Sequence, residues 1–297
     1  MTSSTPRVVV VSRVTEYEQL LAEHGTREQA AFYLRTRGRD IEDVTDRHAR
    51  MMAARSEVAS AIPREWRRGS VDRSNLDRFL FETDDIVVAV GQDGLVPNVA
   101  KYLDGQSVIG VNPDPGYYEG VLVRHVSHEV ADLLQQVHRG EVELESRRMV
   151  QATLDDGLQL LALNEIFIGH HSHQSARYRL TVGDHELRQI SSGLIVSTGT
   201  GATGWARSIS IERQSTIQLP RAGEARLAFF VREAFPASGS SLEVTEGEIV
   251  DGQSLVVSSE MEAGGIVFGD GIESDGVTFD WGRRVEITLA RLQLQLV

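Results

Sequence analysis

Asp93 is a carboxylate set inside a glycine turn, Gly91-Gln92-Asp93-Gly94-Leu95, directly after the β-branched run Ile86-Val87-Val88-Ala89-Val90. Backbone N–H groups in such a turn, at the positive end of the helix that Pro97 suits as a first residue, are donors for phosphate. An anion among them repels phosphate unless it has a proton to accept or a metal to serve. Asp93 is therefore the candidate base, and Gly91, Gln92, Gly94 and Leu95 are candidate phosphate contacts. A turn that only joins a core strand to a helix satisfies the same residues and stays open as an alternative.

Two stretches of the second half carry further chemistry. In Leu163-Asn164-Glu165-Ile166 an amide and a carboxylate interrupt an apolar strand. Neighbouring strand residues face opposite ways, so Asn164 and Glu165 reach one ligand together only at a strand end or a bulge. Ser197-Thr198-Gly199-Thr200-Gly201-Ala202-Thr203-Gly204-Trp205 is a second cradle rich in backbone donors. The hydroxyls of Thr198, Thr200 and Thr203 suit phosphate or ribose, Gly201 leaves backbone exposed, and Trp205 offers a flat face to a base. A flexible loop is the alternative here. His170, His171 and His173 form a histidine cluster, but no third ligand stands at useful spacing, so no metal site is assigned.

The elements that position these groups follow from hydrophobic periodicity. Val8-Val9-Val10-Val11 reads as a buried strand that neighbours the one before Gly91. Helical spacing runs from Glu16 to His24, from Arg27 to Arg37, and from about Asp40 through Ile41, Val44, Met51, Met52, Val58 and Ile62, with the methionine pair as core. Pro63-Arg64-Glu65-Trp66-Arg67-Arg68-Gly69 reads as a solvated loop anchored by its tryptophan. A helix through Val99, Ala100 and Leu103 leads to the strand Val108 to Val111, and Asn112-Pro113-Asp114-Pro115-Gly116 breaks regular structure at its carboxyl end, where open parallel sheets bind ligands. Asn112 joins the candidate contacts on that ground. The helix Ser127 to His138 follows. From about Glu141 short alternating segments take over, among them Leu158 to Leu163, Tyr178 to Val182, Leu194 to Ser197, Leu227 to Val231, Leu242 to Thr245, Leu255 to Ser258, Ile266 to Phe268, Val285 to Leu289 and Leu292 to Leu296. The fold class is an α/β N-terminal domain with a parallel sheet, residues 1–124, followed by a mostly antiparallel β domain, residues 125–297.

Composition excludes some partners. The 297 residues carry a formal net charge of -13, against nucleic acid or an anionic membrane as partner. There is no cysteine, hence no disulfide framework, and the start at Met1-Thr2-Ser3-Ser4 leads into only a short apolar run. The expectation is a cytoplasmic protein.

Taken in order, the Gly-x-Asp-Gly turn, the Asn-Glu strand, and Gly193-Leu194-Ile195-Val196-Ser197-Thr198 running into the threonine-glycine cradle resemble the NAD kinase family. The likeness covers roughly residues 84–290. It implies transfer of a phosphoryl group from ATP or polyphosphate, with Mg²⁺, to the 2′-hydroxyl of the adenosine ribose of NAD or NADH. It further implies that Asp93 matches the catalytic aspartate, that Asn164 and Glu165 match the pair at the nucleotide, and that Thr198 to Trp205 match the nucleotide-contacting loop. Asp270, with Gly271, looks like the family's late Asp-Gly. A homodimer or homotetramer is implied as well. The chain departs from the family pattern at Gln92 and Leu95, where glycine and threonine are usual, at Ala202, which lacks a serine hydroxyl, and at Trp205, which replaces tyrosine. It is also expected to end without a tail returning to the first domain. Those departures keep two other readings in play: transfer to another hydroxyl, on a sugar, lipid or nucleotide, and nucleotide binding without catalysis.

Overall fold

The structure is a computed structural model that describes residues 5–236 and 242–297; the expectation about Met1 to Ser4 lies outside the described residues. The chain divides into two compact units, residues up to Leu144 with Gln295–Val297, and Glu145–Leu294.

The first unit is built on a parallel sheet. Its elements are β1 (Arg7–Ser12), α1 (Glu16–His24), α2 (Arg27–Arg35), α3 (Ile41–Ala61), β2 (Arg67–Asp72), β3 (Asp85–Val90), α4 (Leu95–Ala100), β4 (Ser107–Val111) and α5 (Val130–Arg139). Strands lie in the order β2-β1-β3-β4, so the chain steps to one side of β1 for β2 and to the other for β3. That reversal is a topological switch point, where loops at the carboxyl ends of β1 and β3 diverge and leave room for a ligand. Valines on alternate positions of β1 and β3 face α3 and α5, where Val8, Val88, Val90, Ile109 and Val111 close over Ala54, Val58, Val130 and Leu134. Arg7 makes a two-pronged bond to the buried Asp85, Nε to Oδ1 at 2.8 Å and Nη2 to Oδ2 at 2.6 Å, which pins the β1–β3 register at its edge.

Several details differ from the sequence reading. Arg67, Arg68 and Gly69, expected in a loop, begin a strand, Arg67–Asp72, parallel to β1: its polar residues suit an edge, and Trp66 just before it is buried in the core. Met52 is 40% exposed, so only Met51 of the pair packs inward. Pro97 is the third residue of α4, where its missing N–H costs nothing because the first turn has no intrahelical acceptors. The unit boundary falls after Leu144 and not near 124, because α5 buries Val130 and Leu134 against β4 and so belongs to the parallel-sheet core. The end of the chain does return to this unit: Gln295 and Leu296 run parallel to Ser107 and Val108, and Val297 N–H donates to Val108 O.

The second unit comprises β5 (Glu145–Leu154), β6 (Gln159–Ala162), β7 (Glu165–His170), β8 (Ala176–Val182), β9 (His185–Ser191), β10 (Gly193–Ser197), α6 (Trp205–Arg213), β11 (Arg226–Arg232), β12 (Glu246–Val250), β13 (Leu255–Ser259), β14 (Gly265–Gly269), β15 (Val277–Thr278) and β16 (Arg284–Leu296). Leu242 to Thr245, expected as a strand, lies just ahead of β12, and the two last segments expected are one continuous β16. An antiparallel sheet, β12-β11-β10-β7-β14-β15, shares a core with a second made of β5, β6, β8, β9, β13 and β16. Alternation assigns the faces: Leu194 and Val196 of β10 enter that core, and Ile195 between them faces α6 with Phe167, Phe230 and Phe268. Strands covered on both sides read as unbroken apolar runs, which β10 does. Among the described residues no helix is long and apolar enough to cross a membrane.

Candidate functional site

β3 is buried along its whole length and delivers the turn at its carboxyl end. Gly91 N–H continues the ladder by donating to Val111 O at 3.0 Å, and Leu95 N–H donates to Gln92 O at 2.9 Å. The turn therefore opens fewer donors than expected: among the described residues only the N–H groups of Gln92, Asp93 and Gly94 have no acceptor. Leu95 is 3% exposed and serves as core beneath the turn. Gly94 has a helical φ of -62°, and a Cβ there would meet nothing within 4 Å. Neither backbone conformation nor packing requires glycine at 94, so the open space beside it is what the residue provides.

The Asp93 carboxylate is clamped. Oδ2 accepts Val121 N–H at 2.9 Å, and Oδ1 accepts Leu122 N–H at 2.7 Å and Val123 N–H at 3.0 Å. A carboxylate has about four lone-pair sites, so one remains, on Oδ2. The loop that supplies these donors is shaped by Asn112, whose Oδ1 accepts Asp114 N–H and whose Nδ2 donates to Tyr118 O, both at 3.0 Å. Asn112 is 4% exposed with both ends of its amide in use, so it holds the loop. Gly120 is required there: its φ is +72°, and a Cβ would lie 2.6 Å from Val123 O.

Beside the turn, at the switch point, lies a pocket of about 90 Å³ lined by Arg13, Glu16, Arg47, His48, Gln92 and Asp114, among others. Val44, Arg47, His48 and Met51 follow the i, i+3, i+4, i+7 spacing of one face of α3, and all four line the pocket. The sequence reading took that face for core throughout and passed over its two cationic residues and Arg13.

In the second unit, Asn164 sits in the bend immediately before β7 and Glu165 begins the strand, so the two occupy the strand end that their common use requires. Asp270 organises this end. Its carboxylate accepts Leu163 N–H at 3.1 Å and Asn164 N–H at 2.6 Å, and its own N–H donates to Glu165 O at 3.0 Å. Asp270 holds a left-handed φ of +55°, which an aspartate tolerates better than most residues. Burial, and then the neighbouring Asp270 charge, push the Glu165 carboxyl up from its ordinary 4.5 to about 7. Half-buried Glu165 thus holds a proton through mildly acidic conditions.

The threonine-glycine loop is more committed to itself than its composition suggests. Thr198 is fully buried; its hydroxyl donates to Leu163 O and accepts the N–H groups of Thr200 and Gly201 at 3.1 and 3.2 Å. Thr200, 5% exposed, accepts from Arg147 Nη1 at 3.4 Å. A Cβ at Gly201 would stand 2.2 Å from Asn164 O, so this glycine exists for backbone packing. Thr198, Thr200 and Gly201 therefore shape the loop, whereas Thr203 is exposed. The Trp205 ring stacks on Phe167 at 5.9 Å, and the Arg232 guanidinium lies over it at 4.9 Å, so the ring already has partners. His170 has both ring nitrogens engaged, by Ala263 O and by Ser172, and among the described residues no group of three or more His, Asp or Glu side chains could hold a metal.

No family model matches the chain. Human mitochondrial NAD kinase 2 is 29% identical over 261 residues, 71% of this chain and 59% of that protein. The NAD kinase of Ralstonia nicotianae is 34% identical over 134 residues, 42% of this chain and 43% of its own. The crystal structure of an NAD kinase from Archaeoglobus fulgidus in complex with ATP superposes with a TM-score of 0.58 at 17% identity, covering 98% of this chain and 92% of that one, a likeness of fold. The chain is similar in sequence to NAD kinases and shares their fold. It spans about 59% of the length of the human NAD kinase 2 that it matches. Within the NAD kinase fold, the α/β unit carries the Asp93 turn and the β unit carries Asn164, Glu165 and Asp270.

Proposed function

We propose that this chain transfers a phosphoryl group from ATP or polyphosphate to the 2′-hydroxyl of the adenosine ribose of NAD or NADH, forming NADP or NADPH. The observation that carries this reading is the first unit's turn, which combines three N–H groups without acceptors, an open Gly94 and an oriented carboxylate. Phosphoryl transfer asks a protein mainly for positioning and for charge stabilisation. The N–H groups of Gln92, Asp93 and Gly94 take the phosphate oxygens. Asp93, fixed by Val121 to Val123, turns the remaining lone pair of Oδ2 to the acceptor hydroxyl, orients it and receives its proton. Asn164 and Glu165 bind the nucleoside, and the protonated Glu165 donates a hydrogen bond to a ribose oxygen near neutral pH.

The residues fit Mg²⁺ only as single carboxylate ligands added to the donor's own phosphate oxygens, the usual arrangement for this ion. Bound in that way, it would neutralise phosphate charge. The relatives' names, NAD kinase, support the acceptor, and the ATP bound by the Archaeoglobus protein supports the donor.

Incubation with NAD, ATP and Mg²⁺ tests the reading through NADP formation, with Asp93→Asn alongside. NADP from the wild type and at least a ~100-fold loss in the variant, the lower range for a general base, is the expected result. A second reading, transfer to a different hydroxyl, is favoured by the internal commitment of Thr198 and Thr200, which leaves fewer groups to recognise NAD. It predicts no NADP but a melting temperature raised by ATP.

A further inference from the structure

Helix α2 carries an aromatic residue on the face turned away from its own core. Ala30 and Leu34 point inward and join Leu20, Ile41 and Val44 in a small cluster. At about 100° per residue Phe32 stands on the opposite side from both, and it is 65% exposed. It borders an open cleft of about 600 Å³ between the end of α1 and α2, lined also by Glu23, His24, Glu28, Tyr33 and Arg37. The Tyr33 wall of that cleft is already fixed: the His24 ring packs against it at 4.3 Å, and the Arg37 guanidinium lies over it at 3.7 Å while donating to Tyr33 O at 3.2 Å. An apolar anchor and an aromatic cleft thus lie side by side on one surface.

The charges around Phe32 say what fits there. Glu28 precedes it by one helical turn and Arg35 follows it by one. Both are exposed and make no ion pair among the described residues, whereas the neighbouring Arg27 and Arg39 are paired with Glu42 and Glu16. The stripe therefore runs acid, aromatic, base, and it is complementary to itself when reversed. In an antiparallel pair crossing at Phe32, Glu28 meets the partner's Arg35, and two-fold symmetry repeats the contact with the roles exchanged. A parallel pair would set like charges together. We propose that this face of α2 docks on the same face of a second copy of the chain, antiparallel about a two-fold axis at Phe32, with each Phe32 covering the other copy's cleft. The contact belongs to the α/β unit and does not depend on the phosphotransferase reading. Two helices of nine residues form a small interface, under the ~1,200 Å² at which specific complexes become stable. The pair therefore forms and separates with concentration.

The test is sedimentation velocity of the full chain over about a hundredfold range of concentration, a span that brackets a weak equilibrium. It compares the wild type with Phe32→Asp, Glu28→Arg, Arg35→Glu and the double reversal Glu28→Arg with Arg35→Glu. Burial of one phenylalanine per copy is lost in Phe32→Asp, so its association should weaken by about a hundredfold or more. Each single reversal should weaken it by about three- to tenfold, the range of exposed ion pairs, and the double reversal should restore it. Because these side chains are exposed, the melting temperature of the dilute protein should hold in all four variants. If copies also join through another face, Phe32→Asp halves the mass of the assembly instead of leaving a monomer. Equal masses for the wild type and Phe32→Asp throughout the range overturn the proposal. So does a double reversal that associates no more tightly than the single ones, since the face would then not be meeting itself in this orientation.

Discussion

Two glycine-rich turns follow strands in this chain, and they use glycine for opposite reasons. After β3, Gly94 adopts a conformation open to any residue and faces empty space. After β10, a Cβ at Gly199 would lie 1.9 Å from Arg221 O and one at Gly201 2.2 Å from Asn164 O, so these positions are glycine because other backbone runs against them. The carboxylates of the two units differ in the same sense. Asp93 is held by three backbone donors and fixed in direction, whereas Glu165 stands half-buried beside another acid and keeps its proton. A turn in a sequence can thus advertise vacant space or close packing, and only the neighbours distinguish the two.

The contrast breaks most visibly at Gly199. Alanine there must move the Arg221–Ala222 backbone, because no flexible side chain is available to yield. A loss of about 3 kcal/mol or more is expected, the upper range of overpacking, or a melting temperature lower by about 6–12 °C. Gly201→Ala should follow closely. A calorimetric scan showing either variant as stable as the wild type would mean that the loop is looser than its contacts imply, and that its glycines serve access after all.

How much of this was legible beforehand depended on range. Helices α1 to α3 and the core strands β1, β3, β4, β8, β10, β11 and β13 follow from apolar periodicity, a local signal, and the structure adds caps at Thr15 and Asp40. β2 was missed because an edge strand of Arg, Arg, Gly, Ser and Asp carries almost no apolar pattern; its partner β1 supplies its order. The pairing of Asn164 with Glu165 at a strand end was readable, since alternation forbids it elsewhere. The clamp on Asp93 was not, because Val121 to Val123 lie about thirty residues away and donate only backbone. The same holds for Thr198, whose hydroxyl looks available until Leu163 O is beside it. Arg13 and Arg47 were passed over because surface arginines are common and nothing local marks two of them as neighbours of Gln92.

The carboxylates give a middle-sized effect with a definite sign. Glu165 titrates at about 7 when folded, chiefly through burial and secondarily through Asp270, and near 4.5 when unfolded. Below about pH 4.5 both states hold the proton and the group contributes nothing to the pH dependence. Between 4.5 and 7 the unfolded state releases its proton first, so stability falls as pH rises; above 7 the full penalty is present. Glu165→Gln should therefore match the wild type at pH 4.5 and exceed it by about 1–3 kcal/mol at pH 8. Denaturant melts at the two pH values measure it. A difference independent of pH would place Glu165 in contact with solvent and leave Asp93 and Glu165 alike.

The smallest effect sharpens the comparison most. Gly94→Ala is the same chemical change as Gly199→Ala, made where φ is -62° and the added methyl group meets no atom within 4 Å. Alanine reduces the freedom of the unfolded chain and is a poorer residue at the start of a helix, so the two contributions oppose each other and the net change in stability should stay within about 1 kcal/mol. Binding should not be spared. The methyl group enters the space in front of the N–H groups of Gln92, Asp93 and Gly94, and tripolyphosphate affinity should fall several-fold while the melting temperature of the free protein hardly moves. Stability and affinity that both remain at wild-type values would show that the space beside Gly94 is unused, and the turn after β3 would then be no more a ligand site than the loop after β10.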